Sequence, residues 1–232
     1  HTDRRIIFPY EVDSNLKINR LTDQELQDRY PQAYDYLSQC KSMLLVRDHG
    51  KARGYRWFEY SRNQALDVIH LPKLFTPDLA TCASFSVDIA GHVLFTGGVA
   101  GGYGIVLKHG ESHNFILALL NSTVLDWYVK QSSTQMRGGY YSFEARFIRH
   151  LPIRDGDNTT IAYVTRRGQI VTLVDRMLAL HRELVAVRSA YDKSTIQRRI
   201  SSTDDMINTL VYELYDLSDS ERALIENQRV RL

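Results

Sequence analysis

Apolar and polar positions along the chain change rhythm several times, and those changes predict its elements. Arg4-Arg5-Ile6-Ile7-Phe8-Pro9-Tyr10 reads as a short strand stopped by Pro9. Thr22-Asp23-Gln24-Glu25 is a capping box, in which hydroxyl and carboxylate satisfy amides at a helix start. Pro31 suits the first turn of the next helix, whose apolar face is Tyr34, Leu37, Met43 and Leu44. Short blocks then suggest strands at Tyr55–Tyr60, Val68–Phe75, Phe85–Ile89, Val93–Thr96 and Gly104–Lys108, each bounded by turn-forming residues. Phe115, Leu119, Leu120, Val124 and Trp127 have helical spacing and predict one helix over Asn114–Val129.

Beyond a plausible linker at Asp155-Gly156-Asp157-Asn158 the pattern becomes helical. Ile170, Leu173, Met177, Leu180, Leu184, Val187 and Tyr191 advance in steps of three and four, a heptad seam whose first six positions are expected to be buried against protein. A further helix is predicted to start after Ser202-Thr203, with Met206, Ile207, Leu210, Val211 and Leu214 on one face. Ser218-Asp219-Ser220-Glu221 is a second capping box and opens a final helix. The expectation is an α+β fold: a small mixed-sheet domain over residues 1–165, then a helical scaffold over residues 166–232.

The chain is long enough, at 232 residues, to bury a substantial core. No apolar run approaches the ~20 residues needed to cross a bilayer, and no signal peptide opens it. The sequence therefore predicts a cytoplasmic protein without a membrane partner. Cys40 and Cys82 are too few for a disulfide framework and are read as buried thiols.

Charge adds a direction to this picture. The net charge is only +2, but Lys41–Arg62 holds six basic residues against two acids. Arg137, Arg146, Arg149 and Arg154 face Glu144 alone, while Ser201–Glu226 holds seven acids against Arg222. Such segregation suits a surface turned to a polyanion. Arg53, Tyr55, Arg56 and Lys73, and then Arg137, Tyr140, Tyr141 and Arg146, interleave cations with aromatics, the residue types that grip phosphates, read guanine edges and stack on bases. These eight residues are expected to share one cleft facing double-stranded DNA, with Arg137-Gly138-Gly139 the best candidate for base readout.

Other constellations point nowhere. Gly97-Gly98-Val99-Ala100-Gly101-Gly102 lacks the endings of a P-loop and the spacing of a dinucleotide fingerprint, so a strand connection is preferred. His109 and His113 are four apart but lack a third ligand and an adjacent base. No activated serine, positioned cysteine or carboxylate pair stands out, so no catalytic, cofactor or metal residues are assigned.

The order of several blocks carries more. Ile6-Ile7-Phe8-Pro9-Tyr10, Tyr34-Asp35-Tyr36-Leu37, Tyr55-Arg56-Trp57-Phe58-Glu59 and Pro72-Lys73-Leu74-Phe75-Thr76-Pro77-Asp78-Leu79 come first. Phe115-Ile116-Leu117-Ala118-Leu119-Leu120-Asn121-Ser122, Leu151-Pro152-Ile153 and Val211-Tyr212-Glu213-Leu214-Tyr215-Asp216-Leu217 follow. In this order they resemble the C-terminal specificity domain of TaqI-type adenine methyltransferases, including those fused to nucleases and those of phage-defence systems. Asp216 stands where that family usually has glycine. The family's catalytic half carries an adenosylmethionine glycine loop and an Asn/Asp-Pro-Pro-Tyr/Phe motif, and neither occurs here. Phe8-Pro9-Tyr10 lacks the amide or carboxylate that would hold a flipped adenine. The resemblance implies a target-recognition domain, not itself an enzyme, whose upstream methyltransferase domain in the same polypeptide would bind S-adenosylmethionine. The alternative, from a different class, is an assembly module working through its C-terminal helices; a cryptic hydrolase ranks last.

Overall fold

Two compact units make up the chain in a computed structural model that describes residues 5–50, 57–61, 65–95, 101–154 and 160–229. One unit comprises His1–His70 with His92–Leu94, and the other Leu71–Gly91 with Phe95–Leu232. The fold is α+β, with small antiparallel sheets and a long helical C-terminal region.

In the first unit β1 (Tyr10–Val12) and β2 (Ile18–Arg20) form a hairpin with Tyr10 opposite Arg20. The strand starts after Pro9 instead of stopping at it, because proline gives a ladder no donor. The Asp13 carboxylate accepts the Asn15 and Lys17 amides at 2.8 and 2.9 Å, which closes the turn. Helices α1 (Asp23–Arg29), α2 (Pro31–Gln39) and α3 (Lys41–Val46) follow. The capping box forms as read, with the Thr22 amide donating to Glu25 at 2.8 Å and the Glu25 amide to Thr22 Oγ1 at 3.2 Å. Leu21, Leu26, Leu37, Trp57 and Phe58 are the core of this unit.

Phe8, Tyr10 and Tyr60 form an aromatic cluster beside it. The Tyr60 hydroxyl donates to the Ile7 carbonyl at 2.6 Å, and the Tyr60 amide donates to Tyr10 Oη at 2.7 Å. Burial first, and then the neighbouring Tyr10, push the Tyr60 phenol up to about 12. A phenol kept neutral in the folded state stabilises it fully below its ordinary value of 10, and that contribution is lost as pH rises towards about 12. Alkaline titration followed by phenolate absorbance should show late Tyr60 ionisation coinciding with loosening of this unit. Tyr60→Phe should remove the late step.

The second unit is built on β3 (Lys73–Pro77), which lies between β5 (Ser86–Asp88) and β6 (Gly102–Ile105), antiparallel to both. After Asp78 the same chain continues as β4 (Leu79–Ala80), which pairs with β7 (Tyr141–Ser142). Asp78 joins the two ladders: its amide donates to the Gly101 carbonyl at 3.1 Å, and its carbonyl accepts the Phe143 amide at 2.6 Å. Gly102 opposes Pro77, and a Cβ there would meet the Thr76 carbonyl oxygen at 2.4 Å, so only glycine fits this approach. The strand expected over Val68–Phe75 forms only from Lys73, and those expected over Tyr55–Tyr60 and Val93–Thr96 do not form across their described residues, 57–60 and 93–95.

Where one helix was expected over Asn114–Val129 there are two, α4 (His113–Asn121) and α5 (Thr123–Ser132). Ser122 makes the break: its hydroxyl donates to the Leu119 carbonyl at 2.7 Å and accepts the Leu125 amide at 3.3 Å, capping the second helix. Asn208 takes the Thr123 amide at 2.8 Å. Helix α6 (Ala145–Ile148) is one short turn after β7.

Helices α7 (Ile161–Ala186) and α8 (Ala190–Leu214) form an antiparallel hairpin, tied by Arg166–Glu213 at 3.2 Å and Arg199–Glu183 at 3.5 Å. The seam lies against the chain's own helices: Ile170 and Leu180 are buried, and Leu173, Met177, Leu184 and Val187 are half-buried. Tyr191, the last seam position, is exposed. Helix α8 starts at the Ser189 cap, not after Thr203, whose hydroxyl donates to the Arg199 carbonyl at 2.7 Å within the helix. Ser218 and Glu221 cap α9 (Asp219–Arg229) as read. Asp216, at φ 54°, occupies the left-handed conformation that glycine favours.

Phe85, Phe115, Leu119, Leu125, Phe143, Tyr163, Ile170 and Val211 belong to one core, which therefore runs through position 165 without interruption. Both cysteines are free, but Cys82 is exposed and Cys40 half-buried, so the reading of two buried thiols is corrected. No helix among the described residues is long and apolar enough to cross a membrane.

Candidate nucleic-acid interface

A tight hairpin projects from the second unit between α5 and β7. Gln135 bridges to Tyr141, the Met136 amide donates to the Tyr140 carbonyl at 2.7 Å, and Arg137-Gly138-Gly139 forms the tip. Gly138 and Gly139 have φ of 79° and 76°, consecutive left-handed residues that a side chain would strain. Arg137 is exposed, and no carboxylate pairs with it among the described residues. The Tyr140 ring lies over Gly138, about 3.5 Å from where a Cβ would be, and is 45% exposed. The tip therefore offers a guanidinium and a supported aromatic face to solvent.

Tyr141, one residue on, turns inward. Its side chain is buried, with the Lys130 ammonium 5.6 Å above the ring and Lys130 held by Asp126 at 2.8 Å. Strand alternation places adjacent tyrosines on opposite faces, so Tyr140 alone remains available for stacking.

The arm then runs from β7 into α6, with Glu144 at its N-cap and Arg146 in the helix. Phe143, fully buried, anchors it against Phe85, ring to ring at 6.0 Å. Arg146 Nε meets Glu144 Oε2 at 2.9 Å and its Nη2 donates to Oε1 at 3.2 Å, a two-point fork. The guanidinium also lies 4.7 Å from the centre of the Phe147 ring. Arg149 is exposed and donates from Nε to the Ala145 carbonyl at 3.2 Å.

Tyr103 on β6 joins this neighbourhood although the sequence did not single it out. Burial first, then the Asp78 and Glu144 carboxylates, raise its phenol above the ordinary value, while Arg146 acts in the opposite direction. The phenol is thus within electrostatic reach of both members of the fork. Gly102-Tyr103-Gly104 holds the only recoverable signal, an aromatic flanked by glycines on a strand.

Lys73 requires a correction. It is 1% exposed, and its ammonium donates to Asp88 Oδ2 at 2.7 Å across the β3–β5 ladder. A cation so enclosed cannot reach a phosphate, and the grouping of Lys73 with the exposed arginines does not hold. Arg53, Tyr55 and Arg56 lie outside the described residues. Of the basic stretch around them, Arg47 donates to the Trp57 and Glu59 carbonyls and Lys41 stands 4.6 Å from the Trp57 ring centre. Among the described residues no group of three or more His, Cys, Asp or Glu is placed to hold a metal ion.

No protein-family model matches the chain. Over 228 residues, 97% of its length, it is 21% identical to the Type II methyltransferase M.BstVI of Geobacillus stearothermophilus. The chain resembles part of a methyltransferase. It spans about a third of that relative, 33% of its length. The similarity is distant, and at 97% of the chain it extends over both compact units.

Proposed function

We propose that this chain is the DNA target-recognition domain of an adenine-specific methyltransferase of a restriction-modification or phage-defence system, related to the TaqI type. One observation carries the reading: a methyltransferase resemblance over nearly the whole chain coincides with an exposed Arg137, paired with no carboxylate among the described residues, at a glycine-tipped hairpin. An enzyme that extrudes one adenine must also choose where to do so. A separate domain can supply phosphate contacts for register and a few side chains for base edges. In this reading Arg137, Tyr140 and Arg146 face the duplex, and Arg53, Tyr55 and Arg56 are proposed to do the same. Methyl transfer and S-adenosylmethionine belong to an upstream domain of the same polypeptide. The sequence of this chain carries no adenosylmethionine glycine loop and no catalytic tetrapeptide.

Titration of labelled duplexes at several salt concentrations tests this. Phosphate contacts release counterions, so affinity should fall steeply with added salt. Arg137→Ala should cost about 1–3 kcal/mol on the preferred sequence and relax selectivity at one base pair. Binding that ignores salt, or no binding to any duplex, would overturn the proposal.

A further inference from the structure

The acid in the Arg137–Arg154 stretch is the one that holds Arg146, and the geometry of that hold has a chemical consequence. A guanidinium gripped at Nε and Nη2 by a carboxylate keeps its other N–H donors, on Nη1 and the outer side of Nη2, pointing away from the acid. Those outward donors form a second fork, which matches the O6 and N7 acceptors of a guanine edge. The Phe147 ring beneath the guanidinium restricts its rotation. The supporting arm is rigid: Ser142 and Phe143 are fully buried, and the Phe143 amide is bonded to Asp78. Yet the Arg146 side chain is 61% exposed, open to a partner.

The pair also carries no net charge. A lone arginine attracts any phosphate, whereas the charge of a paired one is largely neutralised, so its outward fork gains little Coulombic energy from a phosphate. A base edge needs the donors and not the charge, so it can be met with the pair intact. We propose that Glu144 is a specificity-determining residue: it holds Arg146 for a guanine edge and withholds it from phosphates. This rests on the DNA-binding reading above. Glu144 acts through Arg146 and is a positioning residue, while Arg146 makes the contact.

The test uses the whole chain, a fixed mixed-sequence duplex and a library of duplexes with a randomised centre. Glu144 lies at the cap position of α6 but makes no side-chain cap hydrogen bond, so Glu144→Gln removes the charge without uncapping the helix. Glu144→Gln should bind the mixed-sequence duplex about 3–10-fold more tightly, with a salt dependence steeper by about one phosphate contact. Its selected sequences should lose preference at one base pair, the same one lost by Arg146→Gln. Glu144→Asp should retain part of that preference. In an Arg146→Gln background, Glu144→Gln should alter neither selection nor salt dependence. The inference is overturned if Glu144→Gln leaves both unchanged while the parent chain still selects a sequence, or if its effect persists without Arg146. If the parent chain shows no salt-sensitive binding to any duplex, the DNA-binding reading itself fails.

Discussion

Lys73→Ala is expected to destabilise the second unit by about 3–5 kcal/mol, the cost of removing one member of a buried ion pair. Lys73 and Asp88 face each other across the ladder at 2.7 Å, with side chains 2% and 5% exposed. Removing the ammonium takes the ion-pair cation away from the Asp88 carboxylate, which is nearly enclosed in the sheet. Urea unfolding followed by circular dichroism should show the loss as a lower midpoint with an unchanged slope. Replacing both partners, as in Lys73→Met with Asp88→Leu, should recover most of it, because an apolar pair of similar volume avoids desolvating two charges. The salt dependence of DNA binding should not change in variants that remain folded. A loss below about 1 kcal/mol, or a shallower salt dependence, would return Lys73 to the surface.

Phe143→Ala should cost a similar amount, about 3–5 kcal/mol, and it connects stability to reading. Phe143 is fully buried against Phe85, and its amide is tied to the Asp78 carbonyl. Loss of the ring leaves a cavity at the root of the arm that carries Glu144 and Arg146. Phe143→Leu, which refills much of the volume, should cost less than about 1.5 kcal/mol. At a temperature where both variants are folded, Phe143→Ala should also blunt sequence selection more than it weakens total binding. Equal selectivity in the two variants would mean that the arm does not depend on this anchor.

What was legible in the sequence was local. The Thr22–Glu25 and Ser218–Glu221 boxes each complete their hydrogen bonds within four residues, so spacing alone determines them. The heptad seam is likewise a property of one helix face, and its burial followed. Failures arose where the partner is distant, or where one side chain can serve either of two local roles. Lys73 resembled a surface cation because Asp88, which neutralises it, is fifteen residues away on a strand whose register the sequence does not state. Thr203 resembled a cap because its hydroxyl can satisfy either a helix start or a carbonyl one turn back, and here it does the latter. Ser122 did the reverse, breaking a helix that apolar spacing carried straight through.

The site divides in the same way. Arg137 and its two glycines were legible, since the turn needs those residue types wherever it lies. Tyr140 and Tyr141 could not be told apart without the strand pairing that turns one of them inward. Tyr103 escaped notice, and Glu144 counted only as the one acid of its stretch, because their meaning comes from a neighbour more than from their own charge or size.

Asp78 places a constraint on how such a chain can diverge. Because this one residue terminates the β3 ladders and begins the β4–β7 pairing, an insertion between Lys73 and Ala80 would slip one ladder against the other and turn its side chains over. The tip between Met136 and Tyr140 is bound by no such condition. Related chains with new preferences should therefore differ in tip length and composition while keeping the spacing around Asp78, and transplanting the tip alone should carry a preference from one chain to another.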